Sequence, residues 1–347
     1  MPEKILVIGG AGYVGSALVP KLLDRGHYVR VLDTFWFGHS VFNDVLHVRG
    51  LDTFWFGHSV FNYKLDLWEG DVRTCALERV MDGIDCVIHL ACISNDPSFE
   101  LNPALGKSIN YDAFLRVVEA AKACEIKRFI FASTSSVYGI KKESEVTENL
   151  ALEPLTDYSK YKAFCEMELR MIPTGKLPWV IIRPATVCGY APRLRLDLIV
   201  NILTMAALTK GKITVFGGNQ KRPNINIEDM ADLYVQLVGE EDEKIIGQTF
   251  NAGGDNFSVN EIAFLVKLAI EKIRKNNFIQ IERKPTNDLR SYSISSQKIK
   301  DELNWQPRLT ILDAIKSLAL AFDNGKIPNP DDPRYYNIKT MQKFIIS

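Results

Sequence analysis

The segment Gly9-Gly10-Ala11-Gly12-Tyr13-Val14-Gly15 constrains the fold more than any other stretch of this 347-residue chain. It follows Lys4–Ile8 (KILVI), a run too short for a helix and closed by glycines, which reads as a buried parallel strand. Ser16–Arg25 comes next, with apolar residues at 18, 19, 22 and 23, a helical stripe that Gly26 stops. Three glycines at this spacing are a weak signal alone. Between a first strand and a first helix they permit a tight turn and let backbone N–H groups at the helix N-terminus approach a pyrophosphate. Gly9, Gly12, Tyr13, Val14 and Gly15 are therefore candidate cofactor contacts. Asp33 closes the next strand, Tyr28–Leu32, 18 residues after Gly15. A carboxylate there accepts hydrogen bonds from adenosine ribose hydroxyls and repels a 2′-phosphate; with no arginine at 34–37, the pattern favours NAD over NADP.

The rhythm continues through Cys86–Leu90 (CVIHL), Arg128–Ala132 (RFIFA) and Trp179–Ile182, which repeat the apolar strand type. Pro103–Ala123 and Asp157–Met171 read as long helices, capped by Asn102 and by Thr156 or Asp157. Strand–helix repetition predicts an α/β, doubly wound parallel sheet (a Rossmann fold) over residues 1–183. Beyond it, helical patterns at 196–209, 228–238, 259–274 and 310–322 alternate with short strands such as Lys212–Phe216 and Gln248–Asn251. They predict a smaller mixed α/β substrate domain over 184–325, packed on the sheet's carboxyl ends. Residues 326–347 are expected as a C-terminal tail, with Pro328–Tyr336 (PNPDDPRYY) an extended surface segment.

Composition removes several functions. Lys+Arg and Asp+Glu are both 42, so a nucleic-acid partner held by phosphate contacts is not expected. The cysteines (75, 86, 92, 124, 165, 188) include no CxxC pair and the histidines (27, 39, 47, 58, 89) all lie in the first quarter, so neither a zinc site nor a C-terminal triad histidine fits. No apolar run of about 18 residues is present, so no membrane span is expected. The opening MPEKILVIGG reads as a strand rather than a signal peptide, and a reduced, cytoplasmic location is expected.

One feature stands apart. LDTFWFGHSVFN occupies 32–43 and again, without a mismatch, 51–62. Two copies do not make a stacked repeat. The reading preferred here is a duplication that adds a surface loop, so that excising residues 51–69 is expected to leave activity intact.

Three YxxxK matches occur, at Tyr138/Lys142, Tyr158/Lys162 and Tyr335/Lys339, and only Tyr158/Lys162 lies in a clear helix, where i and i+4 share a face. A lysine one turn from a phenol, with a positive nicotinamide nearby, lowers the phenol pKa from about 10 toward working pH and makes tyrosinate a feasible general base. Phe131–Gly139 (FASTSSVYG) leaves the strand RFIFA at its carboxyl end, where hydroxyls face the crevice of an open α/β sheet.

Together GGAGYVG, Asp33, Gly70-Asp71-Val72, His89-Leu90-Ala91, STSSVYG and Tyr158-Ser-Lys-Tyr-Lys162 resemble the extended short-chain dehydrogenase/reductase family, in its order along most of the chain. More narrowly they resemble its NAD-dependent nucleotide-sugar epimerases and dehydratases, of the UDP-glucose 4-epimerase type. The resemblance implies Thr134 as the hydroxyl donor, Tyr158 as the catalytic base, and Lys162 as the residue that binds nicotinamide ribose and tunes Tyr158. It implies Asp71 and Val72 flanking adenine, Leu90, Ala91 and Pro184 in the cofactor site, and Asn110 supporting the active-site helix. It also implies a nucleotide-diphosphate sugar in the second domain, with Arg222 and Arg290 on the diphosphate and Ser135, Ser136, Thr186, Arg193 and Arg195 as further substrate contacts. A homodimer through the helices at 103–123 and 157–171 completes the expectation.

Two departures narrow the chemistry. Family 4,6-dehydratases place Asp-Glu directly after the active-site threonine; here Ser135-Ser136 stand there, so no acid remains to run an elimination. The family's RPxNVYGP becomes Arg183-Pro-Ala-Thr186-Val-Cys188-Gly-Tyr190. The expected function is an NAD-dependent nucleotide-sugar 4-epimerase or related C4 oxidoreductase. A dehydratase or decarboxylase, and a non-catalytic NAD-binding regulator, are the rival readings.

Overall fold

In the computed structural model, which describes residues 2–43, 64–275, 278–286 and 291–346, Ile5–Ile8 of the first strand are all fully buried. Side chains that alternate along this strand enter different cores: Ile5 and Val7 join one apolar cluster, Leu6 and Ile8 another. A strand buried on both faces must be covered on both faces, and the sheet is. Its seven parallel strands are β1 (Lys4–Ile8), β2 (Tyr28–Asp33), β3 (Leu65–Glu69), β4 (Cys86–His89), β5 (Arg128–Ala132), β6 (Trp179–Pro184) and, far along the chain, β10 (Thr249–Ala252). Their order is β10-β6-β5-β4-β1-β2-β3, with Ile5 beside Val29 on one side and Cys86 on the other. One face is covered by α1 (Tyr13–Asp24); the other by α2 (Ala113–Ala123) and α3 (Asp157–Met171). The doubly wound Rossmann expectation holds.

The remaining strands form two small sheets: β7 (Thr186–Cys188), β9 (Lys221–Asn226) and β11 (Asn256–Ser258) in one, β8 (Lys212–Phe216) and β12 (Gln280–Lys284) in the other. Helices α4 (Ile199–Lys210), α6 (Val259–Arg274) and α7 (Ile311–Asp323) pack with them around a separate apolar core. Helix α5 (Ile227–Gly239) instead lies against α1, and its Leu233, Tyr234 and Leu237 belong to the main-sheet core.

The structure departs from the sequence reading at four places. The strand expected over 248–251 in the smaller domain is β10, the main sheet's edge beside β6. Its Phe250 and Ala252 are fully buried there in the main-sheet core. Pro103–Ala123 is interrupted: an α-helical turn to Lys107 passes into a π-helical turn over Ser108–Asp112 before α2 begins. Residues 65–69 form β3, paired in parallel with β2, so excising 51–69 would remove a sheet strand. The second copy of the duplicated segment lies outside the described residues, as does Arg290. Finally, the tail carries a helix that the sequence reading did not foresee, beyond the surface segment Pro328–Tyr336. Asn337–Ile346 is a helix (α8) whose Asn337 and Met341 are buried, since polar and apolar partners wait for them near the cavity.

Candidate active site

A cavity of about 380 Å³ opens at the carboxyl ends of β1, β4, β5 and β6, on either side of the switch in strand order. Gly9, Gly12, Tyr13, Val14 and Gly15 line one end. Gly9 has φ +83°, and a Cβ on it would stand 2.6 Å from the Ala91 nitrogen; one on Gly15 would stand 2.3 Å from the Gly10 carbonyl oxygen. Neither position accepts a side chain, so the turn and the strand–helix contact both require glycine. Asp33 holds the loop: its Oδ2 accepts from Ala11 N and its Oδ1 from Phe35 N, each at 2.9 Å. Burial, the largest influence, raises the Asp33 pKa above the usual carboxylate value despite those donors. Tyr13 donates its phenol hydrogen to the Gly189 carbonyl at 2.6 Å, tying the glycine loop to the segment after β7.

These residues suit a dinucleotide. Helix α1 starts at Gly12 with no side-chain cap and no acidic residue in its first turn, which leaves its N-terminal donors to an anion. Leu90 and Pro184 also line the cavity; Ala91, Asp33, Asp71, Val72 and Asn110 do not. Asp71 is paired with Arg73 at 2.6 Å and Val72 is buried beneath it in the apolar core. Asn110 sits on the π-helical turn, where its side chain bonds both backbone groups of Ile93 (2.8 and 3.0 Å) and its carbonyl accepts from the Cys165 thiol on α3 at 3.2 Å. It therefore joins the β4 exit to the helix that carries Tyr158.

Tyr158 and Lys162 project from one face of α3, whose start is fixed by a Thr156–Ser159 capping box. The Tyr158 phenol and Thr134, the residue that caps the turn after β5, line the same cavity, and the Thr134 hydroxyl favours the ionised phenol. Ser136 N donates to Thr134 Oγ1 at 3.2 Å, with the Ser136 hydroxyl 2.9 Å away. Lys162 is buried; its Nζ donates to the Ala132 carbonyl at 2.7 Å and lies 4.8 Å from the Phe131 ring centroid. Burial pushes the Tyr158 pKa well above that of a free phenol, and Cys92 and Asp96 push the same way. The Thr134 hydrogen bond and the Arg195 charge pull it back. Arg195 is thus a cation acting on the phenol, a role that the sequence reading, which expected this tuning of Lys162, did not give it.

The rest of the lining combines the turn after β5 with residues from the other half of the chain. Ser135, Ser136, Thr186, Arg193, Arg195 and Arg222 all line the cavity. Ser135 Oγ is 3.3 Å from the Tyr292 hydroxyl. Arg195 is held by Asp197 (3.0 Å) and by the Ser94 hydroxyl (2.8 Å). Sequence reasoning missed Tyr292, Ser94, Asn337 and Met341, since no motif marks them. It also missed Glu166, although Tyr158, Lys162 and Glu166 recur every four residues. Glu166 is fully buried, accepts from Ser133 Oγ, and pairs with Arg183 through bonds of 2.9 and 3.2 Å from Nε and 2.5 Å from Nη2. Arg183 continues to the Tyr138 hydroxyl at 2.7 Å, and Tyr138 to Asn251 Oδ1 at 2.7 Å. This network locks α3 to β5, β6 and β10.

Such a site, a glycine loop and a Thr/Tyr/Lys set at the carboxyl ends of one parallel sheet, defines a class of nucleotide-dependent oxidoreductases and isomerases. The chain belongs to the NAD dependent epimerase/dehydratase family, whose model matches residues 5–253. It is 31% identical over 320 residues to an uncharacterized UDP-glucose epimerase of Bacillus subtilis (strain 168), YtcB, covering 90% of this chain and 95% of that one. It is 28% identical to UDP-glucuronic acid decarboxylase 1 of Arabidopsis thaliana, over 95% of this chain and 72% of the relative. Among solved structures, the UDP-glucuronic acid 4-epimerase from Bacillus cereus in complex with UDP-glucuronic acid and NAD superposes with a TM-score of 0.78, at 25% identity, covering 92% of this chain and 99% of that one. Among the described residues no helix is long and apolar enough to cross a membrane, and no cluster of His, Cys, Asp or Glu is arranged to hold a metal.

Proposed function

We propose that the protein is an NAD-dependent nucleotide-sugar 4-epimerase, or a closely related C4 oxidoreductase, that works through a transient 4-keto sugar. The observation that carries this reading is the meeting of Tyr158, Thr134 and buried Lys162 in one cavity that the glycine loop also lines. Bound NAD supplies a hydride acceptor for C4 of the sugar. Tyr158 takes the proton of the 4-hydroxyl. Thr134, already accepting from Ser136 N, offers its O–H to the oxygen on which charge develops. Because burial dominates the phenol, positive charge next to it makes tyrosinate accessible, and Arg195 acts in that direction. Lys162 holds the wall of the site through Ala132 and, in this reading, meets the nicotinamide ribose.

In this reading Gly9, Gly12, Tyr13, Val14, Gly15, Asp33, Leu90, Ala91 and Pro184 hold the cofactor, with Asp71 and Val72 towards adenine and Asn110 as support. Ser135, Ser136, Thr186, Arg195 and Arg222 face the sugar nucleotide, and Arg290 joins them from outside the described residues. Hydroxyls at 135 and 136 disfavour elimination. The decarboxylase relative supports a rival that leaves a lighter product. A homodimer through α2 and α3 is supported by Phe164, Met167 and Met171, three exposed apolar side chains on α3. Six free cysteines suit a reducing, cytoplasmic setting.

The test is to follow absorbance and product mass with a panel of UDP-, GDP-, CDP- and dTDP-sugars. Isomerisation at constant mass with no net NADH establishes the epimerase. Stoichiometric NADH with an oxidised sugar makes it a C4 dehydrogenase, and a loss of carbon dioxide or water refutes both.

A further inference from the structure

Arg193 lines the cavity as a deeply buried cation without a carboxylate hydrogen-bonded to it. It is 4% exposed; among the described residues its guanidinium donates to Asn337 Oδ1, and nothing accepts from its Nε. Asp197, close by in sequence, is engaged through both oxygens by Arg195. Burial first, and repulsion by Arg195 second, push the Arg193 pKa down to about 9, as expected of a cation short of negative charge.

Its position shows which anion it is built for. The Arg193 backbone N–H donates to Ser16 Oγ, in the first turns of α1, at 3.1 Å. Its guanidinium carbon lies 3.5 Å from the centroid of the Phe37 ring, just beyond β2, and its charge is felt at Asp33. Arg193 therefore reaches from the smaller half of the chain into the crevice between the glycine loop and the end of β2. The uncapped N-terminus of α1 presents its donors to the same crevice. Arg222, by contrast, enters the cavity from β9. Two donor sets meeting at one place call for an anion with oxygens on both sides, and a planar guanidinium suits a diphosphate.

We infer that Arg193 supplies the second side of the cofactor's pyrophosphate site, opposite the glycine loop, and so binds the dinucleotide rather than the sugar nucleotide. Asn337, on α8, orients the guanidinium, which gives the C-terminal helix a part in holding the cofactor. The inference rests on the NAD reading of the cavity.

The test is calorimetric titration of cofactor-stripped protein with ADP-ribose, which carries the pyrophosphate without nicotinamide, and separately with UDP. Arg193→Met is expected to weaken ADP-ribose about 10- to 100-fold, the loss of charge-assisted bonds, with UDP affinity unchanged. Arg193→Lys keeps the stem and the charge, so it covers the case of a Met variant that does not fold; its ADP-ribose affinity is expected between the two. Equal ADP-ribose affinity in wild type and both variants overturns the inference and leaves the NAD reading standing. A loss for UDP alone overturns it too and returns Arg193 to the substrate. If wild-type protein binds neither NAD nor ADP-ribose, the NAD reading itself fails and the inference with it.

Discussion

Glu166→Gln removes one charge from a pair whose two side chains are 1% and 2% exposed. The Arg183 guanidinium then keeps only neutral partners, the Tyr138 hydroxyl and the Glu148 carbonyl. Leaving one member of a buried, hydrogen-bonded pair uncompensated costs about 3–5 kcal/mol. With an unfolding entropy of about 2.1 cal/mol/K per residue over 347 residues, that is a fall in Tm of about 5 °C. Because Glu166 also accepts from Ser133, next to Thr134, the variant is expected to loosen the Tyr158–Thr134 contact as well, lowering kcat while UDP affinity stays the same. Equilibrium urea unfolding of Glu166→Gln, Arg183→Met and Glu166→Gln/Arg183→Met measures the coupling. The double variant is expected to cost less than the two singles together, since removing both charges spares the cost of burying one alone. A single-variant cost under about 1 kcal/mol, or a double cost equal to the sum, would refute the reasoning.

Four further outcomes follow from the site and the core. Tyr158→Phe is expected to lower kcat by about 10²–10⁴-fold with ADP-ribose affinity unchanged, and near-normal turnover would end the proton-transfer assignment. Gly15→Ala puts a Cβ 2.3 Å from the Gly10 carbonyl oxygen, so NAD affinity measured by titration is expected to fall at least tenfold while UDP affinity holds. His89, buried among Phe114, Phe129 and Phe131, has its pKa lowered by burial from 6.5 to about 3. The unfolded chain then binds the extra proton between those values, so stability falls as pH drops through that window. Relative to His89→Leu, wild type is expected to lose about 3 kcal/mol between pH 7 and 4.5, read by urea unfolding. Excising residues 44–62 restores one copy of the duplicated segment and spares β3, so turnover is expected within about twofold of wild type; loss of activity in a folded protein would make the second copy functional.

What the sequence made legible is what repeats with a short period. Alternation along Ile5–Ile8 and the glycines after it announce a buried strand and its turn, because both depend on residues within a few positions of each other. Tyr158 and Lys162 were found for the same reason. The Arg183–Glu166 pair was within reach, since Glu166 continues the four-residue spacing, but pairing across the fold is not a local property. β10 was misplaced because four residues carry no signal of which sheet they join. The π-helical turn at Ser108–Asp112 hides inside a pattern that an uninterrupted helix would also satisfy. The helix at Asn337–Ile346 was not foreseen because no local pattern announces it, and Asn337 is ordered by Arg193, Ser94 and Asp197, residues that meet only after folding.

The cleft is assembled from parts with separate foundations. Thr134, Tyr158 and Lys162 stand on elements bolted together by Glu166 and Arg183 inside the main sheet, whereas Arg222 stands on β9 of a separate three-stranded sheet. Substitutions that reshape the second wall therefore need not disturb proton transfer on the first. A chain built this way is free to exchange one sugar for another by altering a few surface-lining side chains, and a laboratory seeking a new substrate range would begin at Thr186, Arg222 and Tyr292 and leave α3 alone.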